Sequence, residues 1–195
     1  MPRAQTSRRR PAIWTLHWAQ NEWVPILPMP RDPRFVTIRR GGTLTDDDHR
    51  LLAGWALVCA EHVLPLFEAA GTGDPRVHEA LDISRRWIRG EVPMTVAHDA
   101  AFAANAAGKG LPDPTRFAAL AAGQAVAVAH VAAHELGAAA YAIRAASASA
   151  AAGEAEAARL RERDWQRDQL PDAIRELVLD DQRLRSPICW HTFDD

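Results

Sequence analysis

The residues from Asp113 to Ala152 constrain the fold of this chain more than any other stretch. Nearly half of them are alanine, which has the highest intrinsic helix propensity of any residue. Asp113 and Pro114 supply a favourable N-cap and a favourable first helical position. We therefore predict one long helix from Asp113 to about Ala152, whose small side chains allow a close approach to other helices at the centre of a bundle.

Capping signals elsewhere predict five more helices. Thr45 to Asp48 form a capping-box pattern that begins a helix running to about residue 70, and Asp74-Pro75 begins a second helix that Gly90 ends. The same reasoning predicts helices over 95–107 and 154–168, and another from residue 171. After residue 42 the sequence has no alternation of apolar and polar residues of the kind that predicts a β-strand. The predicted fold class is all-α, a compact bundle of five to six helices.

The chain divides into an arm over residues 1–42, a bundle domain over 43–186 and a tail over 187–195 that we expect to be loosely held. The arm is rich in tryptophan and proline, and we expect it to be extended, with its first ten residues disordered. The run from Phe35 to Ile38 predicts a short strand before the Gly41-Gly42 turn.

One face of the first helix is predicted to be buried, because apolar side chains recur along it at three- and four-residue spacing. We expect Pro65 to bend this helix, since proline frees a carbonyl one turn back. The residues assigned to the buried face are Leu51, Trp55, Val58, Cys59, His62 and Leu66.

Charge and cysteine content exclude several classes of protein. The net charge of -2 argues against a dedicated nucleic-acid binder, which usually carries a basic excess. Cys59 and Cys189 lie far apart in sequence and form no zinc-binding pair, so we predict reduced thiols. We therefore expect neither a nucleic-acid partner nor a cofactor.

Two segments bear on the location of the protein in the cell. The start of the chain lacks the continuous apolar stretch of a signal peptide, which favours a cytoplasmic protein. The stretch from Phe117 to Ile143 is long enough to cross a bilayer, but its apolar character comes mostly from alanine. It also carries Glu135, which is costly to place in lipid. We predict a buried helix of a bundle and no membrane partner.

His130 and His134 are the sharpest polar feature of the sequence. Their spacing of four residues would place both imidazoles on one face of the predicted long helix, within reach of a shared metal ion or anion. A metal site needs a third ligand from another helix, and the candidates are Glu61, His62, His78, Glu79 and His98. We favour hydrogen-bonded histidines that hold helices in register, and the sequence leaves metal binding open.

A broader pocket is the rival interpretation. Glu61, His62, His130, His134 and Tyr141 would line it, between the first helix and the long helix. Such a pocket would suit a helical-bundle enzyme or a protein that binds a small molecule or a metal. A cysteine nucleophile beside His62 is not favoured, because Cys59 lies on the face predicted to be buried.

Several segments together resemble one protein family, the Imm-five-like immunity proteins of bacterial polymorphic-toxin systems. The resemblance covers about residues 45 to 180. The segments that carry it are, in order, Trp55-Ala56, Cys59 to Glu68, Asp74-Pro75-Arg76, Arg86 to Glu91, Ala100 to Ala104, Ala122 to Ala127, Ala129-His130-Val131, His134, Ala140-Tyr141-Ala142, Glu162 to Gln166, Leu170-Pro171 and Ile174 to Val178.

The resemblance implies an all-helical cytoplasmic protein that binds and neutralises a cognate toxin made by the same cell. One departure is Asn105, which stands where related chains often have a histidine. Inhibition by occlusion needs contact area and no catalytic residue. Trp14, Trp18 and Trp23 in the arm are the predicted partner-interface residues, because aromatic anchors often dominate binding energy. A homo-oligomer in which the arm packs on a neighbouring subunit is a further possibility.

Overall fold

The computed structural model describes residues 31–195 and confirms the all-α bundle. Within that range there are seven α-helices, one more than the upper limit predicted from the sequence. They are α1 Asp46–Glu68, α2 Arg76–Ile88, α3 Met94–Ala107, α4 Thr115–Ala127, α5 Glu135–Ser149, α6 Ala155–Asp168 and α7 Asp172–Arg185. Short 3₁₀ helices cover Pro33–Phe35, Ile38–Arg40, Ala132–His134 and Ser186–Cys189.

Helix α1 begins with the predicted cap. The Thr45 hydroxyl oxygen accepts a hydrogen bond from the Asp48 amide at 3.0 Å, and the same hydroxyl donates to the Asp48 carboxylate at 2.7 Å. The helix continues through Pro65 to Glu68. The capping box therefore fixes the start of α1, as its sequence pattern predicted.

The buried face of α1 differs from the predicted one. Trp55 and Cys59 are buried as expected, but Val58 is 36% exposed and His62 is also exposed. Small residues account for the difference. Ala53, Ala56 and Ala60 are buried, so the face of α1 that contacts the neighbouring helices includes these alanines. A prediction based on the larger side chains missed them. The large residues that complete the face are Leu52, Val63 and Phe67.

The predicted single helix over residues 113–152 is wrong, because the chain breaks between Ala127 and Glu135. Val131 has an extended backbone, with φ −142° and ψ 109°, and a 3₁₀ turn follows it. The break lets α4 and α5 pack on each other and on α1, so tertiary packing outweighs the helix propensity of alanine. The fit between α4 and α5 is close at Gly137, where a Cβ would lie 2.6 Å from Gln124 Oε1.

One helix in the described part of the chain, α1, is long and apolar enough to cross a membrane by length and composition. Half of its most apolar window is buried inside the bundle, against α2, α4 and α5. Packing between helices thus accounts for the apolar character of α1. The stretch 117–143 that we considered from the sequence is not a continuous helix.

The C-terminal segment, residues 186–194, is packed and not loosely held as expected. Two of its side chains, Cys189 and Phe193, are buried against the bundle. Three arginines spaced four residues apart on α6 donate to its backbone carbonyls. Arg159 reaches Thr192 O at 2.8 Å, Arg167 reaches Phe193 O at 2.9 Å, and Arg163 bonds Asp194 O between them. Charge-assisted hydrogen bonds of this kind are stronger than neutral ones and hold the segment on α6.

Residues 32–44 also pack on the bundle, but they do not form the predicted strand. Two 3₁₀ turns occupy this segment, and its strand-like pairing is limited to one bridge between Thr37 and Leu44. Phe35 and Leu44 are buried, and Arg34 makes an ion pair with Asp180 of α7 at 2.7 Å. The ten residues expected to be disordered, and Trp14, Trp18 and Trp23, lie outside the described residues.

Candidate functional site

Three histidines meet at the break between α4 and α5. The rings of His130 and His134 have centroids 5.1 Å apart, and His98 of α3 lies 4.9 Å from His130. The sequence predicted that His130 and His134 lie close together because both would be on one face of a long helix. They are close together, but neither residue lies within an α-helix. A turn and a 3₁₀ element bring the two rings together. Of the candidate third ligands, the structure places His98 beside them.

Burial keeps the inner histidines of this cluster neutral. His134 bonds Gln124 Oε1 through Nδ1 at 2.8 Å, and burial lowers the pKa of His134 to about 3. Burial also lowers the pKa of His130, and the neighbouring His98 lowers it further. Both imidazoles are therefore uncharged at neutral pH. The His130 Nδ1 atom is buried and has no hydrogen-bond partner among residues 31–195.

A metal centre does not emerge from this geometry. In the part of the chain that the structure describes, no three His, Cys, Asp or Glu side chains are placed to hold a metal ion. The hydrogen bond from His134 to Gln124 links the α4–α5 junction to α4 instead. His134 is thus a hydrogen-bonded histidine, as in the interpretation that we favoured, whereas His130 Nδ1 has no such partner among residues 31–195.

His62 lies in a different place, in an open groove formed by α1, α5 and α6. Its ring stacks on Trp165 with centroids 3.6 Å apart, and its Nδ1 lies 2.8 Å from Glu162 Oε2. The groove has a volume of about 460 Å³, and Arg161 and Ser149 also line it. Cys59 does not act with His62, because complete burial raises the pKa of the Cys59 thiol well above its usual value.

The remaining pocket candidates have other partners. Glu61 makes an ion pair with Arg85 of α2 at 2.6 Å. Tyr141 packs between Phe117, at 6.2 Å, and Trp190, at 5.2 Å between ring centroids. The five side chains thus belong to four separate environments, and only the His130 and His134 side chains share one. The side chains do not converge on the single pocket that the rival interpretation required.

A buried charged triad was not predicted. Glu135, Asp181 and Arg185 are all at most 5% exposed, with Arg185 Nη2 at 3.1 Å from Glu135 and Arg185 Nε at 2.7 Å from Asp181. Arg185 also donates to Ala133 O at 2.9 Å. Burial raises the pKa of Glu135 well above its usual value. The only available signal was a lone glutamate in an apolar stretch, which cannot name a partner 50 residues away.

The architecture defines a helical-bundle protein whose polar clusters are distributed over several helix junctions. A family model described as "Imm-5 like putative immunity protein" matches residues 42–173, which is more than half of the chain. The chain belongs to this family. Searches of the curated proteins and of the solved structures returned no match.

Proposed function

We propose that this chain is a bacterial, cytoplasmic immunity protein that binds a cognate toxin and neutralises it by covering its active surface. The observation that carries the proposal is the family match over residues 42–173. Neutralisation by occlusion requires a stable surface with a few strong anchor residues, and it requires no turnover.

The structure supports this proposal with exposed apolar side chains on ordered elements. Phe102 on α3 is 57% exposed, Leu184 on α7 is 63% exposed and Trp190 is 39% exposed. Single exposed apolar residues are ordinary on protein surfaces, but aromatic side chains fixed by a rigid scaffold are favourable anchors for a protein partner. The bundle holds them in place without needing to reorganise on binding.

The experiment is co-expression with the toxin encoded next to the gene. We expect the protein to restore growth and to co-purify with the toxin in a fixed ratio. Protection should require at least equimolar immunity protein, because an occluding inhibitor stays bound. Absence of both binding and protection contradicts the proposal. Protection by catalytic amounts contradicts occlusion and indicates an enzyme that modifies the toxin.

A second candidate function is binding of a small molecule in the groove beside His62. The observation that favours it is the exposed ring of His62, held by the buried Glu162 in a groove of about 460 Å³. Native mass spectrometry of the purified chain tests this function. A retained small molecule that is lost in His62→Ala, with the fold intact, supports it. Detection of each protein only at the mass of its own bare chain contradicts it.

A further inference from the structure

The guanidinium group of Arg144 packs against two aromatic rings at the surface of the bundle. Its Cζ atom is 4.0 Å from the centroid of Phe117 and 4.1 Å from the centroid of Trp190. Tyr141, one turn earlier on α5, lies beside both rings, and Arg144 is 5.9 Å from its centroid. We name Arg144, Phe117, Trp190 and Tyr141 the arginine clamp. Its members come from α4, α5 and the C-terminal segment.

Arg144 differs from the arginines of α6 in its partners. Arg159, Arg163 and Arg167 all donate to carbonyl or carboxylate oxygens. Arg144 makes no hydrogen bond or ion pair with any residue from 31 to 195. A guanidinium has five N–H donors in its plane, and contact with two aromatic rings satisfies none of them. Burial lowers the pKa of Arg144, and the nearby Tyr141 and Asp113 oppose this shift only in part.

The backbone is constrained to place Trp190 on Arg144. Trp190 and His191 have φ values of 57° and 58°, in the left-handed region that bulky residues rarely adopt. Hydrogen bonds from the His191 amide to Ser186 O at 2.9 Å and from the Thr192 amide to Cys189 O at 3.2 Å hold this conformation. Such backbone outliers persist where the surrounding fold fixes them, and they concentrate at functional sites.

A second cation lies on the same aromatic residue. The Arg116 guanidinium is 4.9 Å from the Phe117 centroid, although it is paired with Asp113 at 2.9 Å. The Asp113 carboxylate is near enough to raise the pKa of Arg144, but Asp113 is already paired with Arg116, and Arg144 has no ion pair with any residue from 31 to 195. An external carboxylate would complete the arrangement, since the planar fork of arginine binds carboxylates through two parallel hydrogen bonds.

We infer that the arginine clamp is the docking site for an acidic side chain, Asp or Glu, of a protein partner. A protein fits better than a free anion because Trp190, which is 39% exposed, offers apolar contact area beside the cation. Arginine, tryptophan and tyrosine are also the residues that most often dominate protein interfaces. The identity of that partner as the toxin rests on the proposed function.

The first test compares the affinity of the toxin for Arg144→Gln and for the wild type. We expect the dissociation constant to rise about 30-fold or more in this variant, as for a central interface residue. Arg144→Lys keeps the charge but loses the planar fork, and we expect it to weaken binding as well. Arg39→Gln is the matched control, because Arg39 is an exposed arginine whose ion pair is with Asp46.

Unchanged affinity of a folded Arg144→Gln, or of Arg144→Lys and Trp190→Ala if the first variant does not fold, overturns the inference. The proposed function would stand in that case. Absence of toxin binding by the wild type would instead refute the proposed function. In that case a second experiment, which needs no toxin, tests whether the arginine clamp binds a carboxylate.

The second experiment uses acetate as the probe. The Nε–H signal of Arg144 in the ¹⁵N-labelled wild type is followed by NMR while chloride is replaced by acetate at constant ionic strength. We expect a saturable shift of this signal that exceeds the shift of exposed arginines such as Arg39. A shift no larger than theirs overturns carboxylate recognition by the clamp.

Discussion

The centre of the bundle and the C-terminal segment are both well packed, but by different interactions. In the centre, Ala139, Ala140 and Ile143 of α5 are fully buried, and the helices approach closely because the side chains are small. The C-terminal segment has little regular structure, and arginine side chains of α6 hold its carbonyls. One region depends on shape and apolar burial, and the other on a few long-range charge-assisted hydrogen bonds.

The packing of the centre depends on many similar small side chains, whereas the packing of the C-terminal segment depends on a few individual arginines. Loss of one small core contact leaves the remaining contacts of the centre in place. Loss of one arginine of α6 removes a specific bond of the C-terminal segment and leaves a carbonyl without its partner. The two regions should therefore respond differently to substitution.

The largest effect is expected at Arg185, which connects the regions. Arg185 forms ion pairs with both of the buried acids, Glu135 and Asp181, and it lies at the end of α7, where the C-terminal segment starts. Arg185→Met should lower the free energy of unfolding by about 3 to 5 kcal/mol, because it leaves buried carboxylates without a cation. Urea denaturation measures this. A loss below about 1 kcal/mol would show that the triad does not stabilise the fold.

The next effect tests the C-terminal segment alone. Arg163→Gln removes the bond to Asp194 O and the ion pair with Asp164. We expect a loss of about 1.5 to 3 kcal/mol, the range for hydrogen bonds to charged groups. Arg39→Gln, an exposed arginine with a surface ion pair, is the control and should change stability by less than about 0.5 kcal/mol. Equal effects of the two substitutions would contradict the role of the α6 arginines.

A pH dependence is expected at the junction of α4 and α5. The pKa of His134 is about 3 in the folded chain, below the ordinary value of 6.5, so the unfolded chain binds its proton first as the pH falls. The contribution of His134 is complete above pH 6.5 and is lost progressively towards pH 3. Between pH 7 and pH 5 we expect a loss of about 1 to 2 kcal/mol.

His134→Gln isolates this contribution, because the variant keeps a polar side chain and cannot titrate. The charged and titratable groups that act on His134, namely His130, Arg31 and Arg185, remain in the variant, as does His98 beside His130. The difference in unfolding free energy between pH 7 and pH 5 should be smaller in the variant than in the wild type. An equal pH dependence in both proteins would mean that His134 is not protected from protonation.

The smallest effect is expected in the centre. Ile143→Val removes one methylene from a fully buried position, and we expect a loss of about 0.5 to 1.5 kcal/mol. Thermal unfolding by circular dichroism measures it. The amide protection of the C-terminal segment should stay as in the wild type. A change in that protection would show that the two regions are not independent.

The sequence predicted most helices because caps and stops are local. The Thr45 cap and the helix over 95–107 depend on residues within one turn, and the structure has them close to the predicted positions. The break after Ala127 was not predictable from propensity, because alanine favours a helix through it and tertiary packing decides otherwise. The predicted face of α1 was only partly right: Trp55 and Cys59 are buried, but Val58 and His62 are exposed, because buried alanines shift the contact face.

The candidate site was only partly predictable for a related reason. His130 and His134 are close in sequence and also in space. His98, the third histidine, was one candidate among five, and only tertiary structure selects it. Arg144 carried no signal in the sequence, because its two aromatic neighbours come from α4 and the C-terminal segment. Contacts between distant segments leave no pattern in a single sequence.

The most direct test of this account is native-state hydrogen exchange of the backbone amides of His191 and Thr192. Both amides donate to carbonyls within the segment that the α6 arginines hold. We predict protection in the wild type, faster exchange in Arg163→Gln, and no change at Ala139 and Ala140 of α5. Exchange of these two amides at unprotected rates in the wild type, or equal rates in Arg163→Gln, would contradict the account.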